Sequence, residues 1–256
     1  MKEIEIDDWE QFKTYISDNF GGVPGYIFRG HSDRSWKLES TLTRLANKLF
    51  IKDKISFIET VQLDNFKKKI RGLKNFNTTS LDNNELWALG QHYGLSTPLL
   101  DWTESPFIAT YFAFENAESC NSGWRTIFAL NKNFILSKIK DELQNELEFF
   151  ESFLDNNNRI IAQAGLFTKI PTGIDLEKWL DDNNLLCHLT KIHIDNELRL
   201  EAINDLALMN IVSSTIYPDF HGASISCNMW LEALSNNYEL SLLSQDLYQK
   251  IISDEN

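Results

Sequence analysis

Cysteine is scarce in this 256-residue chain, and the three present, Cys120, Cys187 and Cys227, form no C-x-x-C pair. That excludes a zinc ribbon and a dithiol redox motif, and so sparse and odd a count fits a reducing compartment. Long hydrophobic runs are missing too. The opening MKEIEIDDWEQF is acidic and broken by charge, unlike a signal peptide, and no apolar stretch approaches the roughly 20 residues needed to span a bilayer. The expectation is a cytoplasmic protein. Proline is limited to five scattered positions, with no internal repeat, low-complexity tract or Gly-rich linker, so one domain is expected. Positive charge is in deficit: 24 Lys and Arg against 37 Asp and Glu leave a net charge of −13. Such a surface disfavours nonspecific binding to nucleic-acid backbones and anionic lipid, yet it does not exclude a local basic pocket. There is no G-x-G-x-x-G, P-loop, H-E-x-x-H or G-x-S-x-G, which removes the main support for Rossmann, phosphate-loop, zincin and hydrolase readings. His31, His188, His193 and His221 are too scattered for ligand spacing, so no metal is expected.

What is abundant is aromatic and aliphatic mass: 17 Phe, 7 Trp and 43% hydrophobic residues, enough for a substantial core. Trp9, Phe12, Ile16 and Phe20 recur at helical spacing before the Gly21–Gly22 pair. YIFRG reads as a short strand stopped by Gly30. Helices are expected over 40–50, 52–71 and 83–93, then a strand at STPLL. Ser105 and Pro106 are suited to the N-cap and first position of a buried helix, PFIATYFAFENAES. WRTIFALN, RIIAQAGLFTKIP and CHLTKIHI read as strands. Residues 136–154 read as an amphipathic helix with an acidic side over 141–151, and 197–212 as a further helix. The mixture is α+β.

Five segments are more specific than packing requires: YIFRGH (26–31), LGQHYGLSTPLLDWTESP (89–106), FIATYFAF (107–114), RIIAQAGLFT (159–168) and TIYPDFHG (215–222). Arg29 stands out, because a guanidinium beside Tyr26, Ile27 and Phe28 is costly to bury unless paired. Either it is bonded internally, to Asp101 or Asp219, or it awaits an anion. Gln91, His92, Tyr93, Asp101 and Trp102 crowd polar and aromatic groups into a short span, as in a pocket with a few convergent polar groups. Simpler roles stand beside these. Asp101 can close a helix N-terminus by accepting from backbone amides, Gln163 can pair internally, and YPDFHG can be a turn.

FRGH, then QHYG-x-x-T-x-LLDWT-x-SP with an aromatic, alanine-bearing helix, then AQ-x-G-x-F and YPD-x-x-G, resemble the FRG domain, named for its Phe/Tyr-Arg-Gly motif. The resemblance covers 25–222, with 1–24 as an N-terminal helix and 223–256 as a C-terminal helical extension packed on the same domain. The order of these motifs is similar to that of the ADP-ribosyltransferase fold, which implies a split β-sheet core surrounded by helices and NAD as substrate. On that resemblance Arg29 anchors the dinucleotide, Ser96 and Thr97 are the strand Ser/Thr pair, and Gln163 lies where such enzymes often carry a glutamate. Arg29, His92, Gln163 and Asp101 would then form the catalytic set, with Gly30, Tyr93, Ser96, Thr97, Trp102 and Phe167 around the nucleotide. Because Gln163 cannot supply full charge to a ribosyl cation, Asp101, Glu104 or Asp219 would substitute, or Gln163 would orient. The resemblance implies a bacterial or phage protein, a toxin or anti-phage effector, with the acceptor open among protein, RNA, DNA and water. The alternative is a non-catalytic module binding a nucleotide or a partner in the same pocket.

Overall fold

The computed structural model describes residues 1–51, 54–73, 81–139, 147–152 and 158–236. Among them are strands β1 (Lys2–Ile6), β2 (Tyr26–His31), β3 (Leu99–Thr103), β4 (Trp124–Asn131), β5 (Glu148–Phe150), β6 (Gly165–Lys169) and β7 (Leu189–Asp195). They form one mixed seven-stranded sheet in the order β1-β7-β4-β2-β3-β6-β5, in which only β1 and β7 run parallel. The helices among the described residues are α1 (Trp9–Phe20), α2 (Thr41–Lys48), α3 (Ile55–Ile70), α4 (Asn83–His92), α5 (Pro106–Phe114), α6 (Lys132–Ile139), α7 (Asn158–Ala162), α8 (Leu176–Asp182), α9 (Arg199–Leu208), α10 (Ser213–Ile216) and α11 (Phe220–Asn236). The class is α+β, as the sequence predicts. No helix among the described residues is long and apolar enough to cross a membrane.

One sheet face packs Phe28, Ile127, Ala129, Ile192 and Ile194 against α1, α5 and α9. The other packs Ile27, Leu100, Trp102, Phe128 and Leu166 against α6 and α8. A third cluster joins α2, α3 and α4 to Leu99 and Phe167. Helix α5 is the central element. Ser105 accepts from the Ile108 amide at its start. At its end two arginines serve the orphan carbonyls, as cations at a helix C-terminus should: Arg125 donates to Ala113 and Ala117, and Arg199 to Phe114 and Glu115. The helix lies so close to β2 that a Cβ on Gly30 would stand 1.9 Å from the Ala109 carbonyl oxygen and 2.7 Å from the Ala113 nitrogen.

Several expected elements differ. The N-terminus is not a helix alone: KEIEI alternates with the period of a half-buried strand and pairs with β7. STPLL is strand only in its last two residues, Leu99 and Leu100. Thr97 is pinned outside the ladder, its amide donating to Thr41 Oγ1 and its carbonyl accepting from the Leu42 amide, and the strand begins after Pro98, which has no N–H. The helix expected over 136–154 is replaced at 148–150 by edge strand β5, where Phe150 stacks on Phe167 at 5.2 Å; positions 140–146 and 153–154, and with them most of the acidic side over 141–151, lie outside the described residues. RIIAQAG starts as helix α7 and reverses at Ala164, φ 44°, so Gln163 lies in a turn, not on a strand. A short apolar run does not by its periodicity separate helix from strand. Leu186–His188 is a 3₁₀ turn, so β7 begins only at Leu189, and α9 ends at Leu208, two residues before the left-handed Asn210.

The Gly30–α5 contact carries a prediction. Gly30→Ala should cost about 3 kcal/mol, because the added carbon meets backbone that cannot move aside. Gly22→Ala, at φ 69° with open space around it, should cost about 1 kcal/mol. Urea midpoints compare the two; equal costs would remove the role assigned to Gly30.

Candidate functional site

Strands β2 and β3 share one residue pair, Phe28 with Thr103, and beyond it no pairing joins them. The two parts of the sheet thus meet at a seam, and Arg29 fills it. Its Nη1 donates to the Asp101 carbonyl oxygen at 2.6 Å and lies 3.5 Å from Asp101 Oδ2. The guanidinium replaces the ladder hydrogen bond that a neighbouring strand would have given to that carbonyl. Its Nε donates to His31 Nε2 at 3.0 Å, while His31 Nδ1 lies 3.3 Å from the Trp36 carbonyl. One tautomer satisfies both contacts: the imidazole is neutral, with its proton on Nδ1. Burial, followed by the charge on Arg29, pulls the His31 pKa down to about 3. Burial also lowers the pKa of Arg29 itself, with Asp101 opposing that fall. Arg29 keeps 18% of its side chain exposed, and its Nη2 has no hydrogen-bond partner among the described residues.

Beside the seam lies a cleft of about 370 Å³, within the range of small-molecule sites. Its polar lining comes from Arg29, Gln91, His92, Asp101, Arg159 and Gln163, and its aromatic lining includes Phe28, Phe112, Phe167 and Tyr217. Gln91 donates through Nε2 to Asp101 Oδ1 at 2.6 Å and accepts through Oε1 from the Thr97 hydroxyl. This chain holds the Asp101 carboxylate, 61% exposed, toward solvent. The expectation that Asp101 closes a helix N-terminus therefore fails: it sits on β3, and its carboxylate meets an amide side chain and an arginine. Asp219 pairs with Arg159, not with Arg29, and its Oδ1 accepts from the His221 and Gly222 amides at the start of α11. Gln163 Nε2 donates to the Ile216 carbonyl at 3.2 Å, so its internal pairing is realised. Burial and the nearby Arg159 charge lower the His92 pKa, against the pull of Asp219.

The four residues of the expected catalytic set, Arg29, His92, Gln163 and Asp101, line this one cleft, as do Gly30, Trp102 and Phe167. Gly30 is committed to the α5 contact, and the Trp102 indole is 3% exposed and donates to Thr168 Oγ1, so its ring belongs to the core. Three residues expected around the nucleotide do not line the cleft. Thr97 is fully buried as a staple to α2, Ser96 lies beside it, and Tyr93 is 68% exposed and packs edge-on against His92. Glu104 faces away and pairs with Lys132. Sequence reasoning assigns no role to His31, Arg159 or Tyr217, and it places Gln91 in a pocket without a partner. All four sit inside the segments singled out, so the signal was their company, but only three dimensions tie each to a partner.

The model of the FRG domain matches residues 24–122. The chain carries an FRG domain. No curated protein and no solved structure matches the chain. The FRG segment holds β2, α4, β3 and α5, and with them Arg29, Gly30, Gln91, His92 and Asp101. Arg159, Gln163, Phe167 and Tyr217 come from beyond it, so the cleft is closed by a wall outside the matched FRG segment.

The neutral His31 has a measurable consequence. Unfolded histidine gains its proton near pH 6.5, whereas folded His31 stays neutral until about pH 3. The unfolded state therefore binds more protons between these values, and stability falls as pH drops through that window. The loss from His31 should reach about 2 kcal/mol at pH 5. His31→Gln, whose amide oxygen can still accept from Arg29 Nε, should flatten the slope of urea midpoint against pH between 6.5 and 4; an unchanged slope would contradict a neutral buried imidazole.

Proposed function

We propose that the FRG-domain cleft binds NAD and that the chain consumes it, transferring ADP-ribose to an acceptor or to water on an ADP-ribosyltransferase-like scaffold. The observation that carries this reading is the seam arginine, internally oriented yet partly exposed, beside a cleft where aromatic rings and polar groups converge. Arg29 would contact the pyrophosphate, as a guanidinium does with planar donors. Phe112, Phe167 or Tyr217 would flank the flat rings, and His92 would bond a ribose hydroxyl. In the reaction the bond between ribose C1′ and the nicotinamide nitrogen breaks and the electron pair leaves with nicotinamide. A ribosyl centre of oxocarbenium character develops, and the acceptor's oxygen or nitrogen closes on C1′ while its proton passes to solvent. Asp101 is the one carboxylate among the lining residues, and Gln91 holds it, so it is the group placed to stabilise that cation. Gln163 orients, because its amide is already given to Ile216.

A second reading is a binding module without chemistry on the same cleft. It is favoured by the engagement of Asp101 with both Gln91 and Arg29.

Purified protein incubated with nicotinamide-labelled and adenine-labelled NAD, with and without lysate, tests both. Release of nicotinamide or labelling of an acceptor is expected, with Asp101→Asn slower by roughly 100-fold. Arg29→Ala should abolish the activity, and circular dichroism with a thermal melt establishes whether that variant stays folded. Intact NAD together with saturable binding in calorimetry would leave the module reading. For a toxin or anti-phage effector, wild-type expression should slow bacterial growth and Asp101→Asn should relieve it; equal growth of the two speaks against that role.

A further inference from the structure

The cleft contains a second guanidinium. Arg159, on α7, sends Nε to 2.7 Å and Nη2 to 2.6 Å from Asp219 Oδ2, and its guanidinium carbon sits 5.2 Å from the centre of the Tyr217 ring. Its Nη1 has no hydrogen-bond partner among the described residues. The charge is felt within the cleft, since it lowers the His92 pKa. The simplest explanation is a tether between α7 and the start of α11. That tether is weak: the two side chains are 26% and 37% exposed, and a pair so open to solvent contributes little to stability. Asp219 does not need it, because Oδ1 remains bonded to two backbone amides at the start of α11 when the arginine turns away. Tyr217 meanwhile holds the guanidinium plane at the cleft wall.

Both arginines of the cleft thus share one design. Each is oriented by a carboxylate on the chain, Asp101 for Arg29 and Asp219 for Arg159, and each keeps an amino group unspent. We propose that Arg159 is a second anion contact and that, with Arg29, it selects ligands carrying a diphosphate over those with one phosphate or none. The two phosphoryl groups take the two guanidinium groups, and Asp219 stays on the α11 amides. The inference deepens the nucleotide reading of the cleft and rests on it for the ligand's identity, while the anion contact itself can be probed with inorganic pyrophosphate.

Isothermal titration calorimetry on the full chain, using ADP-ribose, AMP, adenosine and pyrophosphate, tests the proposal. Wild type should bind ADP-ribose and pyrophosphate, and Arg159→Gln should weaken both by about 10- to 100-fold, the loss expected for charge-assisted hydrogen bonds. AMP binding should change less than about threefold, and Arg159→Lys should recover part of the loss. Asp219→Asn separates recognition from scaffolding: it breaks the same ion pair but leaves the arginine, so it should bind pyrophosphate as well as wild type or better. Equal binding by wild type and Arg159→Gln overturns the inference and leaves NAD use standing. Loss in Asp219→Asn as large as in Arg159→Gln also overturns it, because the pair would then be scaffolding. No binding of pyrophosphate or ADP-ribose to wild type overturns it as well. If pyrophosphate binds through Arg29 and Arg159 while NAD neither binds nor reacts, the diphosphate contact stands and the NAD reading falls.

Discussion

The hydrogen bond from Arg29 Nη1 to the carbonyl of Asp101 crosses a gap that the sheet itself leaves open. With only Phe28 and Thr103 in register between β2 and β3, the two parts of the sheet would otherwise present unpaired edges to one another. A guanidinium is long enough to span that gap and has donors enough to serve a backbone carbonyl, a histidine nitrogen and a carboxylate at once. Its burial is tolerable because His31, which could have brought a second positive charge, is held neutral. The cleft lies beside this opening, so the contact that joins the sheet also positions the group facing a ligand.

The sequence Phe-Arg-Gly-His then has a physical reading position by position. Phe28 faces the α1–α5–α9 core, and Arg29 enters the seam. Gly30 gives α5 a strand without a side chain to lie on, and His31 accepts from the arginine two residues before it. Alternation along β2 puts Arg29 and His31 on one face and Phe28 and Gly30 on the other. Four adjacent residues thus do four jobs. The close approach of α5 is secured in turn from its far end, where Arg125 and Arg199 bind its last carbonyls.

Electrostatically the chain is divided against its own average. A net charge of −13 surrounds a cleft that contains two guanidinium groups and one carboxylate. The opposite wall, with Arg159, Gln163 and Tyr217, is built from α7, the turn after it and the segment before α11, beyond the residues that match the FRG domain. Differences in that wall would change what the cleft accepts without altering the seam.

Much was legible in the chain. Helix α1 with its glycine stop, the Ser105–Pro106 start of α5, strands β2 and β4, and the gathering of polar groups near Arg29 follow from spacing, capping and turn chemistry, which act within a few residues. The failures were equally local in origin. EFF was absorbed into a helical pattern, RIIAQ into a strand, and STPLL was placed a few residues early, because a short apolar run satisfies either period. Composition and local pattern by themselves determined the class, most elements and the segments from which a site would come. Only the tertiary structure decided that Arg29 answers Asp101 and Asp219 answers Arg159, and that Thr97 is a buried staple. Those pairings join residues about 60 or more positions apart, and their energy depends on distance in space, which no local periodicity encodes.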